Sequence, residues 1–327
     1  MPHNGCPHAC SFCNQKQITG QSYQPTAEDV ANAAETAKAS LGAAVKNAEI
    51  AFFGGSFTAI DRDYMIQLLE AAKPYVNDGG FAGIRISTRP DAIDEEILSL
   101  LKDYGVTSIE LGAQSMSDEV LSANKRGHTA EDVRKASRLI SEMGFSLGLQ
   151  MMAGLYKSSP ETDKKTAEAL AELKPDTIRI YPTVVLKGTE LYELYEKGEY
   201  VPQGLEEAVP LCAELLEFFE ERDIRVIRLG LHDSESLSEN MAAGAYHPAF
   251  RELCESEIVY RNTLEALKKN RIAFGAAEIF VHPSSVSRFI GQKRKNLMRL
   301  EKAGITAIIR QDNRLGKYEV RCANSFL

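Results

Sequence analysis

The chain is 327 residues long, 44% hydrophobic and 26% charged, with a formal net charge of −8. These values are ordinary for a globular protein and suit one large domain with a small one beside it. No apolar run is long enough to cross a membrane and no charged-then-apolar targeting pattern opens the sequence, so membrane-spanning and secreted classes are not expected.

The first feature in chain order is Cys6-Pro7-His8-Ala9-Cys10-Ser11-Phe12-Cys13, three cysteines at C-x3-C-x2-C spacing. Three thiolates hold three irons of a cubane iron–sulfur cluster, and no fourth cysteine is close by. A cluster with only structural or electron-storage duty takes four protein ligands, so this set leaves one iron open. A zinc site would need His3 or His8 as fourth ligand and lacks the usual second, distant pair. Three crowded thiols cannot pair evenly as disulfides. Cys6, Cys10 and Cys13 are therefore the expected metal ligands. Cys212, Cys254 and Cys322 read as isolated buried thiols, which together with an oxygen-sensitive cluster suits a reducing, cytoplasmic compartment. With Phe12 before its last cysteine, the motif resembles that of the radical S-adenosylmethionine (SAM) enzymes. The resemblance implies a [4Fe–4S] cluster whose open iron chelates the methionine end of SAM and whose reduced form cleaves SAM to a 5′-deoxyadenosyl radical.

A glycine-punctuated loop through Gly20 then leads to a helix predicted over 27–43. Residues 47–53 read as a buried strand ending at Gly54-Gly55-Ser56. Helices follow over 61–72, 92–103, 118–121, 130–143 and 161–173, interleaved with strands over 82–87, 108–111, 146–151 and 177–181. A long insertion containing Gly188, Gly198 and Gly204 precedes a helix over 206–221 and a last strand over 225–229. This alternation implies βαβ units and parallel pairing. Polar residues collect at the C-terminal ends of the strands, where α/β barrels carry their chemistry, although a doubly wound sheet alternates in the same way. The resemblance implies the barrel: a partial (βα)6, TIM-like fold. In such barrels the cysteine loop follows the first strand, yet only five residues precede Cys6. An open sheet edge is expected there.

Gly54, Gly55 and Ser56 resemble the motif that receives the SAM amino group on backbone carbonyls, which requires close approach of the main chain. In Thr88-Arg89-Pro90-Asp91, Pro90 and Asp91 read as turn and cap residues. Arg89 has no such local role and is a candidate to meet a carboxylate or phosphate. Glu110 inside an apolar strand is costly without a partner. It is assigned to the SAM site with Gln114, which would address the ribose hydroxyls or amino-acid end. Arg126 is the candidate for the SAM carboxylate, and His128 for a direct catalytic role. Gln150 and Met151, which end the fifth strand of the implied barrel, are likewise assigned to the cofactor site. Tyr181 ends the sixth, where a ring would stack on or hydrogen-bond a ligand.

These strand-end motifs, with Gly5-Cys6-Pro7, Glu110-Leu111-Gly112, Arg126-Gly127-His128, Met151-Met152 and Ile180-Tyr181-Pro182-Thr183, resemble the radical SAM domain of the Elongator catalytic subunit family up to about Asn240. The resemblance implies modification of wobble uridine in transfer RNA, with a cellular reductant such as ferredoxin or flavodoxin. Two departures bear on acetyl-CoA as co-substrate: the family's acetyltransferase loop has no match after Asn240, and Cys13-Asn14 stands where the family has Cys-Pro.

Residues 241–327 are read as a linking helix, over 250–269, and a small basic α+β domain, with 1–240 as the barrel. Arg261 to Leu327 carry 14 Lys and Arg against 5 Asp and Glu, a net +9 that leaves −17 for the rest. This asymmetry hints at a polyanionic partner. Strands over 277–281, 307–310 and 318–322 with helices over 284–289 and 295–303 resemble a KH nucleic-acid module. Its GxxG loop is here Gly291-Gln292-Lys293-Arg294, without the second glycine. Lys293, Arg294, Lys295 and Arg299 are the candidate phosphate contacts. A small-molecule radical SAM oxidoreductase resembling coproporphyrinogen III oxidase and a non-catalytic RNA-binding protein are the alternatives.

Overall fold

The computed structural model describes residues 4–6, 9–15, 18, 23–76, 80–233 and 235–324. His3, Pro7, His8 and Gly20, named above, lie outside the described residues. Strands β1 (Glu49–Phe52), β2 (Gly83–Thr88), β3 (Val106–Gln114), β4 (Ser146–Ala153), β5 (Thr177–Pro182) and β7 (Arg225–Leu229) form one parallel sheet; β6 (Val184–Leu186) lies apart from it. Spatial order follows sequence order without reversal. A doubly wound sheet reverses at a switch point. Here each right-handed crossover lays its helix on the same face, so the sheet curls into an open, barrel-like form. Among the described residues β1 has a neighbour only in β2, leaving an open edge.

The helices are α1 (Ala27–Leu41), α2 (Arg62–Ala72), α3 (Glu95–Asp103), α4 (Asp118–Ala123), α5 (Ala130–Glu142), α6 (Pro160–Ala171), α7 (Glu190–Glu196), α8 (Leu205–Glu220) and α9 (Glu235–Asn240). Helix α5 shows why they form. Thr129 and Asp132 make a reciprocal capping box, and Val133, Ala136 and Ile140 bury one stripe. Burying a side chain such as Ile140 contributes about 2 kcal/mol. The cap of α3 is Asp94 rather than Asp91, because Pro90–Ala92 form a separate 3-10 turn.

Period-two alternation sorts the strand residues. Ile84, Ile86, Ile109, Leu111, Leu149 and Met151 point outward into the main core beneath the helices. Arg85, Glu110 and Arg179 point inward and form an ion ladder across the barrel floor. Arg85 pairs with Glu49 at 2.7 Å and with Glu110 at 3.2 Å, and Arg179 forks onto Glu110 at 2.5 and 3.0 Å. The ladder skips β4 because Gly148 stands there: a Cβ would lie 2.7 Å from Glu110 Cγ.

The predicted insertion contains more structure than its glycines suggest. β6 pairs antiparallel with β8 (Met241–Gly244), and α7 packs beside them. The long helix α10 (Phe250–Lys269) serves two cores. Phe250, Cys254 and Ile258 join the barrel core, and Val259, Tyr260 and Leu267 join that of a small α+β domain. That domain adds β9 (Gly275–Val281), α11 (Val286–Ile290), α12 (Lys295–Lys302), β10 (Ile305–Gln311) and β11 (Val320–Asn324), with sheet order β10-β9-β11.

Four of its cations pair with carboxylates of the linking helix α10 and of α8. Lys295 pairs with Glu206 at 2.8 Å, Arg299 with Glu257 at 2.5 Å, Arg288 with Glu255 at 2.6 Å and Lys317 with Glu255 at 2.9 Å. Lys295 and Arg299, expected to meet phosphates, are thus engaged within the molecule. Among the described residues, Lys293 and Arg294 have no carboxylate partner.

Candidate active site

A cavity of about 530 Å³ opens at the C-terminal ends of the strands. Cys6, Cys10 and Cys13 line it together with Gly54, Gly55 and Ser56. The cysteine loop is fastened to the barrel by its own backbone and by Ser11. Ser56 N donates to Asn4 O at 2.9 Å, and Ser11 Oγ donates to Asn124 Oδ1 at 2.9 Å. Leu191 N donates to Ser11 O at 2.7 Å. Gly5 permits the contact with the Gly54-Gly55-Ser56 turn. Its φ is +68°, and a Cβ would lie 2.1 Å from Ser56 O.

Each sulfur has a polar neighbour. Arg126 Nη1 donates to Cys10 Sγ at 3.1 Å and Gln15 Nε2 to Cys13 Sγ at 3.5 Å, while Ser56 Oγ lies 4.0 Å from Cys6 Sγ. Burial pushes the Cys13 thiol up to about 12 and raises Cys6 as well; neighbouring Cys10 adds to both. Such thiols lose their protons readily only to a metal. Among the described residues no three His, Cys, Asp or Glu side chains converge on one point as a single ion requires. A cubane spreads its liganded irons over three corners, so thiols around a cavity suit it better than they suit zinc. Beside them, Gly54 (φ +100°) and Gly55 present bare backbone to the cavity, a cradle suited to an amino-acid ligand.

The remaining expected residues fall into three groups. Gln114, Gln150, Tyr181 and Glu110 all line the cavity. Gln150 Nε2 donates to Gln114 Oε1 at 3.2 Å, and Gln114 holds φ +64° at an irregularity in the β3–β4 register. A non-glycine residue in that conformation is strained, which is common where a side chain is aimed at a ligand. Arg89 and Arg126 also line it but have partners of their own. Arg89 forks onto Asp91 at 2.8 and 2.9 Å and donates to Arg126 O at 2.8 Å, so it does have the local role denied it by the sequence reading. Arg126 Nη2 donates to Gly112 O at 2.7 Å, and its buried Nε has no partner.

Met151 and His128 lie off the cavity. Met151 is fully buried in the outer core, and its neighbour Met152 lines the cavity instead. His128 lines a shallow surface groove with Lys125 and Glu190. Burial, reinforced by Arg126, pushes its ring down to about 4, so it is neutral near pH 7. Its Nε2 donates to Ala113 O at 3.3 Å, and Nδ1 is buried without a partner.

Sequence reading missed Asn124, Arg179, Arg228 and His232. Arg179 gave the same signal as Glu110, a charge within an apolar strand. Asn124 gave none, since its partner Ser11 is far away in the chain.

Two family models match: the Radical SAM superfamily over residues 1–170 and the Radical SAM C-terminal domain over residues 175–260. The tRNA uridine(34) acetyltransferase of Methanocaldococcus jannaschii is 32% identical over 193 residues, covering 53% of this chain and 36% of that protein. Elongator complex protein 3 of Homo sapiens is 32% identical over 196 residues, covering 54% of this chain and 36% of that protein. The chain thus spans little more than a third of either relative's length. The solved structure of Methanocaldococcus infernus Elp3 with an N-terminal deletion matches with a TM-score of 0.61 at 25% identity, covering 75% of this chain and 59% of that one. The chain belongs to the radical SAM superfamily, whose members bind S-adenosylmethionine and a [4Fe–4S] cluster.

Proposed function

We propose that the chain is an enzyme that modifies a uridine of transfer RNA by SAM-derived radical chemistry. The observation that carries this reading is the meeting of Cys6, Cys10 and Cys13 with Gly54 and Gly55 on one strand-end cavity. The three thiolates hold the cluster, and the Gly54-Gly55-Ser56 backbone receives the SAM amino group. A cluster held there would supply, once reduced, the electron for cleavage of SAM toward a 5′-deoxyadenosyl radical. Arg126 steadies the Cys10 sulfur, and its unpartnered Nε is available to the SAM carboxylate. Arg89 positions Arg126 through its backbone carbonyl. Gln114 and Gln150 offer amides to the ribose hydroxyls, Glu110 holds Arg179 in place, and Tyr181 flanks the substrate. Val184, Leu186 and Leu237 on the cavity wall exclude water that would quench a radical.

Transfer RNA enters this reading from the name of the Methanocaldococcus jannaschii relative, a tRNA uridine(34) acetyltransferase. The small domain adds support. Lys293 (φ +51°) and Arg294 (φ +63°) adopt the left-handed backbone that glycine would take in a KH-like loop, and among the described residues neither has a carboxylate partner. A ferredoxin- or flavodoxin-type donor supplies the electron, and the free cysteines suit a reducing cytoplasm. Among the described residues no helix is long and apolar enough to cross a membrane.

The test is anaerobic reconstitution with iron and sulfide, followed by SAM, dithionite and bulk transfer RNA. Released 5′-deoxyadenosine and a mass-shifted uridine in the nuclease digest are expected. Release of 5′-deoxyadenosine with every nucleoside unchanged overturns RNA as substrate. No release overturns the radical chemistry.

A further inference from the structure

Strands β5 and β7 bring two arginines side by side on the cavity wall. Arg179 and Arg228 are register partners in the parallel ladder, and both line the cavity. Like charges on facing positions of neighbouring strands repel unless something neutralises them. Arg179 is neutralised by its fork onto Glu110.

Arg228 is different. Its Nε donates to Gly230 O at 2.9 Å, and its Nη2 donates to Leu231 O at 2.6 Å and to His232 Nδ1 at 3.3 Å. All three acceptors are neutral, and they fix the guanidinium on its own loop. Among the described residues its Nη1 has no acceptor and the side chain has no carboxylate partner. Arginine only donates, so His232 Nδ1 accepts and the ring's N–H lies at Nε2. That gives a second donor on the same wall, since His232 also lines the cavity. The other two arginines of the wall are engaged, Arg89 with Asp91 and Arg126 with Cys10 and Gly112.

We infer that Arg228 and His232 form an anion subsite that holds a phosphate group of the substrate. Both remaining N–H groups are on Nη1, so the guanidinium offers a phosphate one charge-assisted contact there, and His232 Nε2–H supplies the second donor. The cavity thereby selects a phosphate-bearing nucleoside unit over a free nucleoside. The nucleoside half of this inference rests on the proposed function, and the phosphate half does not.

The experiment titrates uridine 5′-monophosphate and uridine into the reconstituted, cluster-containing protein by anaerobic calorimetry at fixed ionic strength. The wild type is expected to bind the monophosphate about ten-fold tighter or more. Arg228→Gln brings that ratio close to one, leaving cluster absorbance unchanged and uridine affinity within about two-fold, because only the phosphate contact is lost. Arg228→Lys, which keeps the charge but loses the hydrogen bonds to Gly230 O and Leu231 O that fix the guanidinium, falls between. Equal affinities in the wild type, no measurable binding of the monophosphate, or a ratio preserved in Arg228→Gln overturns the subsite. Transfer RNA modified without phosphate discrimination leaves the proposed function standing and the subsite refuted. Discrimination without modification of transfer RNA does the reverse.

Discussion

Asp163 sits beneath the turn that follows β4, accepting from Gly154 N at 2.8 Å and Ser158 Oγ at 2.5 Å. Burial raises its carboxyl from an ordinary 3.8 to about 6, against the opposing pull of the two hydrogen bonds. A carboxyl raised by folding adds most stability below its unfolded value and loses it as pH rises through the folded value. Urea unfolding should therefore show stability declining from pH 3.8 toward about 6, and Asp163→Asn should flatten that interval. A profile unaltered by the substitution would acquit Asp163. At this scale the sequence was legible wherever a residue broke its local pattern. Glu110 in an apolar strand demanded partners, and Arg85 and Arg179 are those partners. Met151 was misjudged although the rule was at hand: adjacent residues of a strand face opposite sides, so Gln150 and Met151 cannot share a cavity. Arg89 was misjudged for another reason. Its partner Asp91 is only two residues away, but the bend that lets them meet is set by the 3-10 turn, not by composition.

Among the elements, the cysteine loop depends most on a single residue. Gly5→Ala would press a methyl group onto Ser56 O, 2.1 Å from the ideal Cβ, in a backbone conformation with φ +68°. The loop must then leave the Gly54-Gly55 turn. The expected outcome is a sharp fall in iron bound per chain on reconstitution, with the far-ultraviolet circular dichroism of the barrel unchanged. Full iron loading would show that the close approach is dispensable. The long alternating strands and helices were readable because their periodicity extends over many residues. The short β6, β8, α7 and α9 were not. Val184 pairs with Gly244, and no pattern within either three- or four-residue strand announces a partner so distant in sequence.

At the scale of the whole molecule, four cations of the basic tail meet carboxylates of α8 and α10. Glu255 on α10 is the hub. It accepts from Arg288 at 2.6 Å, Lys317 at 2.9 Å and Arg251 at 3.0 Å, and Tyr318 Oη donates to it at 3.3 Å. Burial opposes its charge, but the hydrogen bonds from Lys317 and Arg288 prevail and hold the carboxyl near 2, below its ordinary 4.5. Its contribution is complete above pH 4.5 and disappears as pH falls through about 2. Glu255→Gln leaves three cations crowded together and should lower the unfolding free energy at pH 7 by about 3 kcal/mol, measured by urea denaturation. A change below about 0.5 kcal/mol would reduce the hub to an ordinary surface pair. Net charge by halves could not reveal this, because it counts charges without saying which ones meet.

The β6–β8 pairing has a kinetic consequence. Val184 and Leu186 form part of the cavity wall, yet among the described residues their strand is held by three register pairs and no third strand. A two-stranded ribbon of this size separates at a free energy well below that of global unfolding. Backbone amides of Val185 and Ala243 should therefore exchange with deuterium ahead of those of Ile109 and Leu149 in the six-stranded sheet. The same local opening would set how fast a ligand enters and leaves, so turnover would be timed by a ribbon remote in sequence from the cysteines.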